Sequence, residues 1–135
     1  MNFTPENILN LKAHEVFVFG SNLAGSHGAG AAALAVKSFG AVHGIGVGHV
    51  GQSFAIPSKD FRPQYNKNVL STSHIKIYVD LFISYANYHP DLTFYVTKIG
   101  CGLAGYSPED IAPLFSEAIH FPNIILPEEF FNILK

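Results

Sequence analysis

One cysteine, Cys101, leaves the chain no partner for an internal disulfide and fits a reducing compartment. Charge is also scarce. Charged residues make up 13% of the 135 positions and hydrophobic residues 48%, a balance that excludes disorder and predicts one compact domain over 1–135. The net charge of −2 comes with no basic run, which argues against a nucleic-acid backbone as the main partner and leaves a single nucleotide open. No segment reaches the ~18 consecutive apolar residues of a membrane span. The start, MNFTPENILNLKAHE, lacks the basic-then-apolar order of a signal peptide, so a cytoplasmic protein is expected, with no membrane partner. The seven histidines form neither H-x-x-x-H nor H-E-x-x-H, so no metal site is expected, and no cofactor. Gly-Lys-Ser/Thr is missing as well, which excludes a Walker loop.

What the chain does have is glycine in two places. Nine of the 12 glycines fall between Gly20 and Gly51, and the other three are Gly100, Gly102 and Gly105, a concentration that scattered turns would not produce. Val16 to Phe19 is an unbroken β-branched and aromatic run, as a strand buried on both faces requires, and Gly20 is expected to end it. From Gly28 the chain turns to alanines with Leu34, Val36 and Phe39, a small-residue helix suited to close packing on a sheet. The polar turn between them, Ser21 to His27, leads to a helix N-terminus whose unpaired amides and dipole favour an anion such as phosphate. An ordinary strand-to-helix turn is the competing reading.

Thr4-Pro5-Glu6-Asn7 reads as a helix start. The G-x-G-x-x-G at Gly46, Gly48 and Gly51 precedes a strand, Gln52 to Pro57, so it is no dinucleotide fingerprint. After a polar stretch from Ser58 to Ser73, a helix capped by Ser71, Thr72 or Ser73 should bury Ile75, Val79, Phe82 and Ala86 and stop before Pro90. Leu92 to Ile99 reads as a strand running into the second glycine cluster. Ser107-Pro108-Glu109-Asp110 opens a capping-box helix burying Ile111, Leu114, Phe115 and Ala118. Asn123 to Leu126 is a short last strand, and Pro127 to Lys135 a terminal turn or helix. This alternation predicts an α/β fold with a mostly parallel sheet and helices on both faces. Ligands bind outside the carboxyl ends of such strands, so the two glycine clusters are expected to face each other across one cleft.

Within that cleft His27 is a candidate acid, base or hydrogen bonder, against the alternative of an exposed loop histidine. Cys101 lies between glycines with no arginine following to hold a phosphoryl group, which favours a small lining residue over a nucleophile. Lys59-Asp60 at a strand end places an amine or carboxylate at the cleft, or else forms a solvated exit turn. Lys98 is expected to alternate away on its strand, which leaves anion neutralisation to backbone amides.

Four blocks, Phe19-Gly20-Ser21-Asn22, Gly28-Ala29-Gly30-Ala31-Ala32, Ala55-Ile56-Pro57-Ser58-Lys59 and Lys98-Ile99-Gly100-Cys101-Gly102-Leu103-Ala104-Gly105, resemble in order and spacing the macrodomain family of ADP-ribose-binding proteins. They look most like the branch containing the terminal ADP-ribose protein glycohydrolase, and closer still to a group of small bacterial and phage proteins. The resemblance implies a three-layer α/β/α sandwich with a mostly parallel central sheet, binding an ADP-ribose-like nucleotide. It implies that Asn22 meets the distal ribose, that Gly28, Gly30 and Ala31 line the ribose and diphosphate, and that Gly100, Cys101, Gly102, Leu103 and Ala104 wrap the phosphates from the other side; Ser21, His27 and Gly105 of the same two loops are further candidate ligand-binding residues. Lys59 matches that branch's catalytic lysine, which forms a covalent adduct with the opened ribose. Two features depart from the pattern. Ala104 stands where the branch carries an acid, which argues against hydrolysis, and no opening strand with an aspartate for the adenine amine precedes Val16. The sequence thus leaves a binding module or ADP-ribosyl hydrolase on one side, and on the other a non-enzymatic α/β domain whose glycines serve packing or partner binding.

Overall fold

The structure, a computed structural model, describes residues 2–62, 64 and 68–135; of the polar stretch 58–73, positions 63 and 65–67 lie outside the described residues. The chain runs β1 (Glu15–Asn22), α1 (Gly30–Ser38), β2 (Gly48–Val50), β3 (Ser53–Lys59), α2 (Thr72–Asn87), β4 (Thr93–Val96), α3 (Pro108–Ile111), a 3-10 segment (Ala112–His120), β5 (Ile124–Ile125) and α4 (Glu128–Leu134). The sheet order is β2-β3-β1-β4-β5, all neighbours parallel except the edge pair β2 and β3. One antiparallel edge pair is compatible with the expected mostly parallel sheet, but no strand is assigned to glycine-rich 40–51 from sequence. Gly48 to Val50 instead turn back through Gly51-Gln52 and pair with Ser53 to Ala55.

Helices cover both faces, so the protein is an α/β sandwich. On one face Val16 and Val18 of β1, Phe54 and Ile56 of β3, and Phe94 and Val96 of β4 pack against Ile75, Val79, Phe82 and Ala86 of α2, with Ile111, Phe115 and Phe130 completing the layer. On the other, Phe17, Phe19 and Ala55 meet Ala32 and Ala35 of α1 together with Ile8 and Phe39. The alternation of β1 thus sends Val16 and Val18 to one core and Phe17 and Phe19 to the other. With each large side chain worth about 1.5–3 kcal/mol when fully buried, the α2 face carries most of the stabilisation. The thin α1 face is built of alanine, and that thinness brings the N-terminus of α1 down to the strand ends.

Several boundaries differ from the sequence reading. β1 does not end at Gly20 but continues to Asn22, because Gly20 and Ser21 pair with Ile56 and Pro57 of β3. β4 stops at Val96, since the amide and hydroxyl of Thr97 both donate to the Val18 carbonyl, at 3.1 and 2.7 Å. Residues 4–7 form no helix. The Thr4 amide and hydroxyl donate instead to Leu126 and Ile125 carbonyls, at 2.9 and 3.0 Å, pinning the segment along β5. Ser71 is the cap of α2, its hydroxyl accepting from the His74 amide. The Ser107–Asp110 capping box forms, but α3 makes one turn before continuing as the 3-10 segment, with non-helical dihedrals at Phe115; Leu114 in that stripe is only partly buried.

Candidate functional site

The carboxyl ends of β1, β3 and β4 open onto one cleft of about 540 Å³. Because β1 and β4 are parallel neighbours, the segments leaving them emerge side by side and form opposite walls, Gly28 to Ala32 on one side and Gly100 to Leu103 on the other. Gly20, Ser21 and Asn22 lie between them, and Ser58, Lys59 and Phe61 close the side nearest β3.

The first wall is the N-terminus of α1. No side chain among the described residues caps this helix, and Ala33 is the first of its residues to donate backward, to Ala29 at 3.2 Å. The amides of Gly28, Ala29, Gly30, Ala31 and Ala32 therefore find no acceptor among the described residues, and all five residues line the cleft. The turn before it is held from below. Ser21 Oγ donates to the Gly46 carbonyl at 2.5 Å, the Gly44 amide to the Gly25 carbonyl at 2.8 Å, and His27 Nε2 to the Ile45 carbonyl at 2.9 Å. A Cβ on Gly46 would overlap the Asn22 carbonyl oxygen, so only glycine allows this backbone-on-backbone contact. Asn22 grips the same turn, its Nδ2 donating to the Ser26 carbonyl at 2.8 Å and its Oδ1 accepting the Ser26 amide at 3.0 Å. Each of those side-chain atoms has capacity for one further hydrogen bond, and Asn22 is among the residues lining the cleft.

His27 stands elsewhere than expected. It is 2% exposed, beneath the turn rather than in the cleft lining, with its ring edge on Phe19 and its amide donating to His43 Nδ1 at 3.3 Å. Because a carbonyl only accepts, Nε2 carries a proton, and Nδ1 has no partner among the described residues. Its role is to support the wall.

The second wall is a self-bonded turn. Cys101 donates to Lys98, Gly105 to Gly102 and Tyr106 to Gly100, at 3.1, 3.0 and 2.9 Å, leaving the amides of Gly100, Gly102, Leu103 and Ala104 without an acceptor among the described residues. Gly100 has φ +78°, and a Cβ there would come within 3.1 Å of Ile111 Cδ1, so helix α3 seats the turn. Gly102, by contrast, has open space where its Cβ would be and no left-handed φ. Ala104 and Gly105 are in the turn but not in the lining. Burial pushes the Cys101 thiol up to about 11, so at neutral pH it is a protonated lining group and no nucleophile.

Lys59 reaches the cleft with its Nζ 4.9 Å from the Phe61 ring centroid. Phe61 itself has φ +56°, a strained geometry for a bulky side chain, imposed where Asp60 and Arg62 clasp each other at 2.6 and 3.0 Å. That clasp holds the Asp60 carboxyl below its ordinary range, so it stays ionised and unable to donate a proton to a ligand. Lys98 is the other departure. It lines the cleft instead of alternating away, because the chain leaves the ladder at Thr97, and Glu129 holds its ammonium at 2.5 Å and raises its pKa.

A second cavity of about 830 Å³ adjoins the first on the α1 side of the sheet, between α1, the N-terminal segment and α4. Gly30, Ala31, Thr97 and Lys98 belong to both, so the two form one trough. Ile8, Phe17 and Leu34 give the larger chamber apolar surface; Glu6, Asn7, Glu129 and Asn132 give it polar groups. Phe61 and Thr97 are lining residues that sequence reasoning missed, and Lys98, part of the fourth matched block, is the one expected to point elsewhere. The signal for Phe61 and Thr97 was position, two residues after Lys59 and one residue before the block that opens at Lys98.

Fold and cleft together define an α/β sandwich with a trough at the carboxyl edge of its sheet, walled by unpaired backbone amides. Comparison with protein families, curated proteins and solved structures finds no match for the chain.

Proposed function

We propose that the trough binds ADP-ribose or a related nucleoside diphosphate sugar. The observation that carries this reading is the pair of facing walls, Gly28 to Ala32 and Gly100 to Leu103, whose amides lack acceptors on both sides of one cleft. A diphosphate is the ligand such donors suit: it brings several acceptor oxygens, and the dipole of α1 favours its charge. The sugar beyond the diphosphate would lie toward Asn22, Lys59 and Phe61, and the nucleoside would occupy the larger chamber. There the N-terminal segment, without forming a strand, supplies the polar groups that an amine-bearing base needs.

Chemistry on the sugar is a weaker part of the same reading. Lys59 offers an amine that can add to the aldehyde carbon of an opened ribose, forming a carbon–nitrogen bond and releasing water. Among the described residues lining the cleft there is no acid to assist, Ala104 has none to offer, and Asp60 is held ionised by Arg62. Binding with slow turnover or none is the expected behaviour.

Calorimetric titration with ADP-ribose and with AMP tests the proposal. ADP-ribose should bind the more tightly; equal affinities, or heat from neither, would remove the diphosphate reading. Lys59→Ala should abolish any cleavage of ADP-ribosyl esters and leave most of the affinity.

A further inference from the structure

Lys98 stands on the wall common to both chambers, and among the described residues it is the only cation there. Its ammonium is taken up by acids from two other segments, Glu129 of α4 at 2.5 Å and Glu6 of the N-terminal segment at 3.8 Å. Neither acid lines the glycine-walled cleft; both line only the larger chamber. Lys98 is therefore pulled from the diphosphate position toward the nucleoside side.

We propose that Lys98, Glu129 and Glu6 form an exchange latch, in which the anionic group of a ligand at the shared wall displaces Glu129 and takes Lys98 as its side-chain cation. This rests on the nucleoside diphosphate reading and deepens it, since it names the group that selects charge at the junction. The pairs are exposed, with side-chain accessibilities of 39% for Lys98, 55% for Glu129 and 85% for Glu6, so breaking them costs little. A diphosphate carries more charge than a carboxylate and lies against two rows of amides, so the exchange runs toward the ligand. Glu129 then acts as a competitor: it lowers affinity for every anion at that wall and leaves neutral nucleosides unaffected.

The test is calorimetry with ADP-ribose and with inorganic pyrophosphate, at two salt concentrations, on the unaltered protein and on Lys98→Met, Lys98→Arg, Glu129→Gln and the Lys98→Met/Glu129→Gln double variant. Lys98→Met should weaken both probes and flatten their salt dependence, and Lys98→Arg should restore most of both. Glu129→Gln should tighten both by about two- to fivefold, the range set by exposed ion pairs, and that gain should vanish in the double variant. If Lys98→Met binds both probes as the unaltered protein does, or if Glu129→Gln helps equally without Lys98, the latch is wrong while the nucleotide reading stands. Pyrophosphate binding that follows this pattern without any ADP-ribose preference keeps the latch and removes the nucleotide reading. An unaltered protein that binds neither probe overturns both.

Discussion

The two walls of the cleft look alike in sequence, each a glycine cluster after a buried strand, yet they are held in place by different means. The wall after β1 is a helix N-terminus resting on a second loop, and its glycines at 25, 44 and 46 press backbone on backbone below the surface a ligand would touch. The wall after β4 is a short turn bonded to itself and seated by Ile111, with Gly102 facing open space. The comparison teaches that glycine serves two purposes here. On the first wall several glycines are architectural, while on the second Gly102 keeps the cleft clear.

The largest effect expected from breaking this comparison is on the buttress. Gly46→Ala puts a methyl group on the Asn22 carbonyl, which only a backbone shift can relieve, and should destabilise by about 3 kcal/mol or more, as severe overpacking does. Thermal unfolding followed by circular dichroism would show it, and an unchanged midpoint would mean the two loops are not in contact.

Gly100→Val should come next, at about 2 kcal/mol, because a β-branched residue meets both a left-handed φ and Ile111. Denaturant titration measures it, and a loss below that of a typical surface change would show that α3 does not seat the turn.

Gly102→Val separates stability from binding. Stability should move by no more than about 0.5 kcal/mol, as at ordinary surface sites, while the branched side chain blocks the cleft and ADP-ribose affinity is lost. A variant that unfolds early, or that binds normally, would erase the distinction between the walls.

The smallest effect concerns Cys101. Its raised pKa keeps the thiol protonated, so alkylation by iodoacetamide should stay slow at neutral pH and reach half of its limiting rate near pH 11, with Cys101→Ser changing affinity by less than about twofold. Fast labelling at pH 7 would show a thiolate that this wall does not provide.

Glu15 and Asp60 give the structure a pH dependence outside this comparison. The amide of Lys12 and the hydroxyl of Tyr95 lower the Glu15 carboxyl, as Arg62 lowers Asp60. A carboxylate whose folded pKa lies below its unfolded value contributes stability above the unfolded value and loses it as pH falls through the folded one. Both contributions should therefore be present at neutral pH and disappear below about pH 4, the ordinary carboxylate range.

The buried stripe of α2, the Val16–Phe19 strand, the Ser107 capping box and the confrontation of the two glycine clusters were all legible in the chain, because each rests on local periodicity or on the order of strands and helices. Lys98 and His27 were not. A two-residue alternation carries Lys98 away from the cleft only while the strand continues, and the strand ends where Thr97 turns both of its donors on Val18, a residue 79 positions earlier. His27 sits in the loop that sequence marks for ligand, but the Ile45 carbonyl draws its ring underneath.

What the sequence by itself determined is the architecture and the edge of the sheet where a ligand would lie, since burial patterns and strand-to-helix order need no knowledge of distant partners. Which side chains line that edge was decided only in the tertiary structure. A side-chain donor is satisfied by whatever carbonyl the fold brings near, and here those carbonyls belong to Gly46, Ile45 and Val18, far along the chain from Ser21, His27 and Thr97.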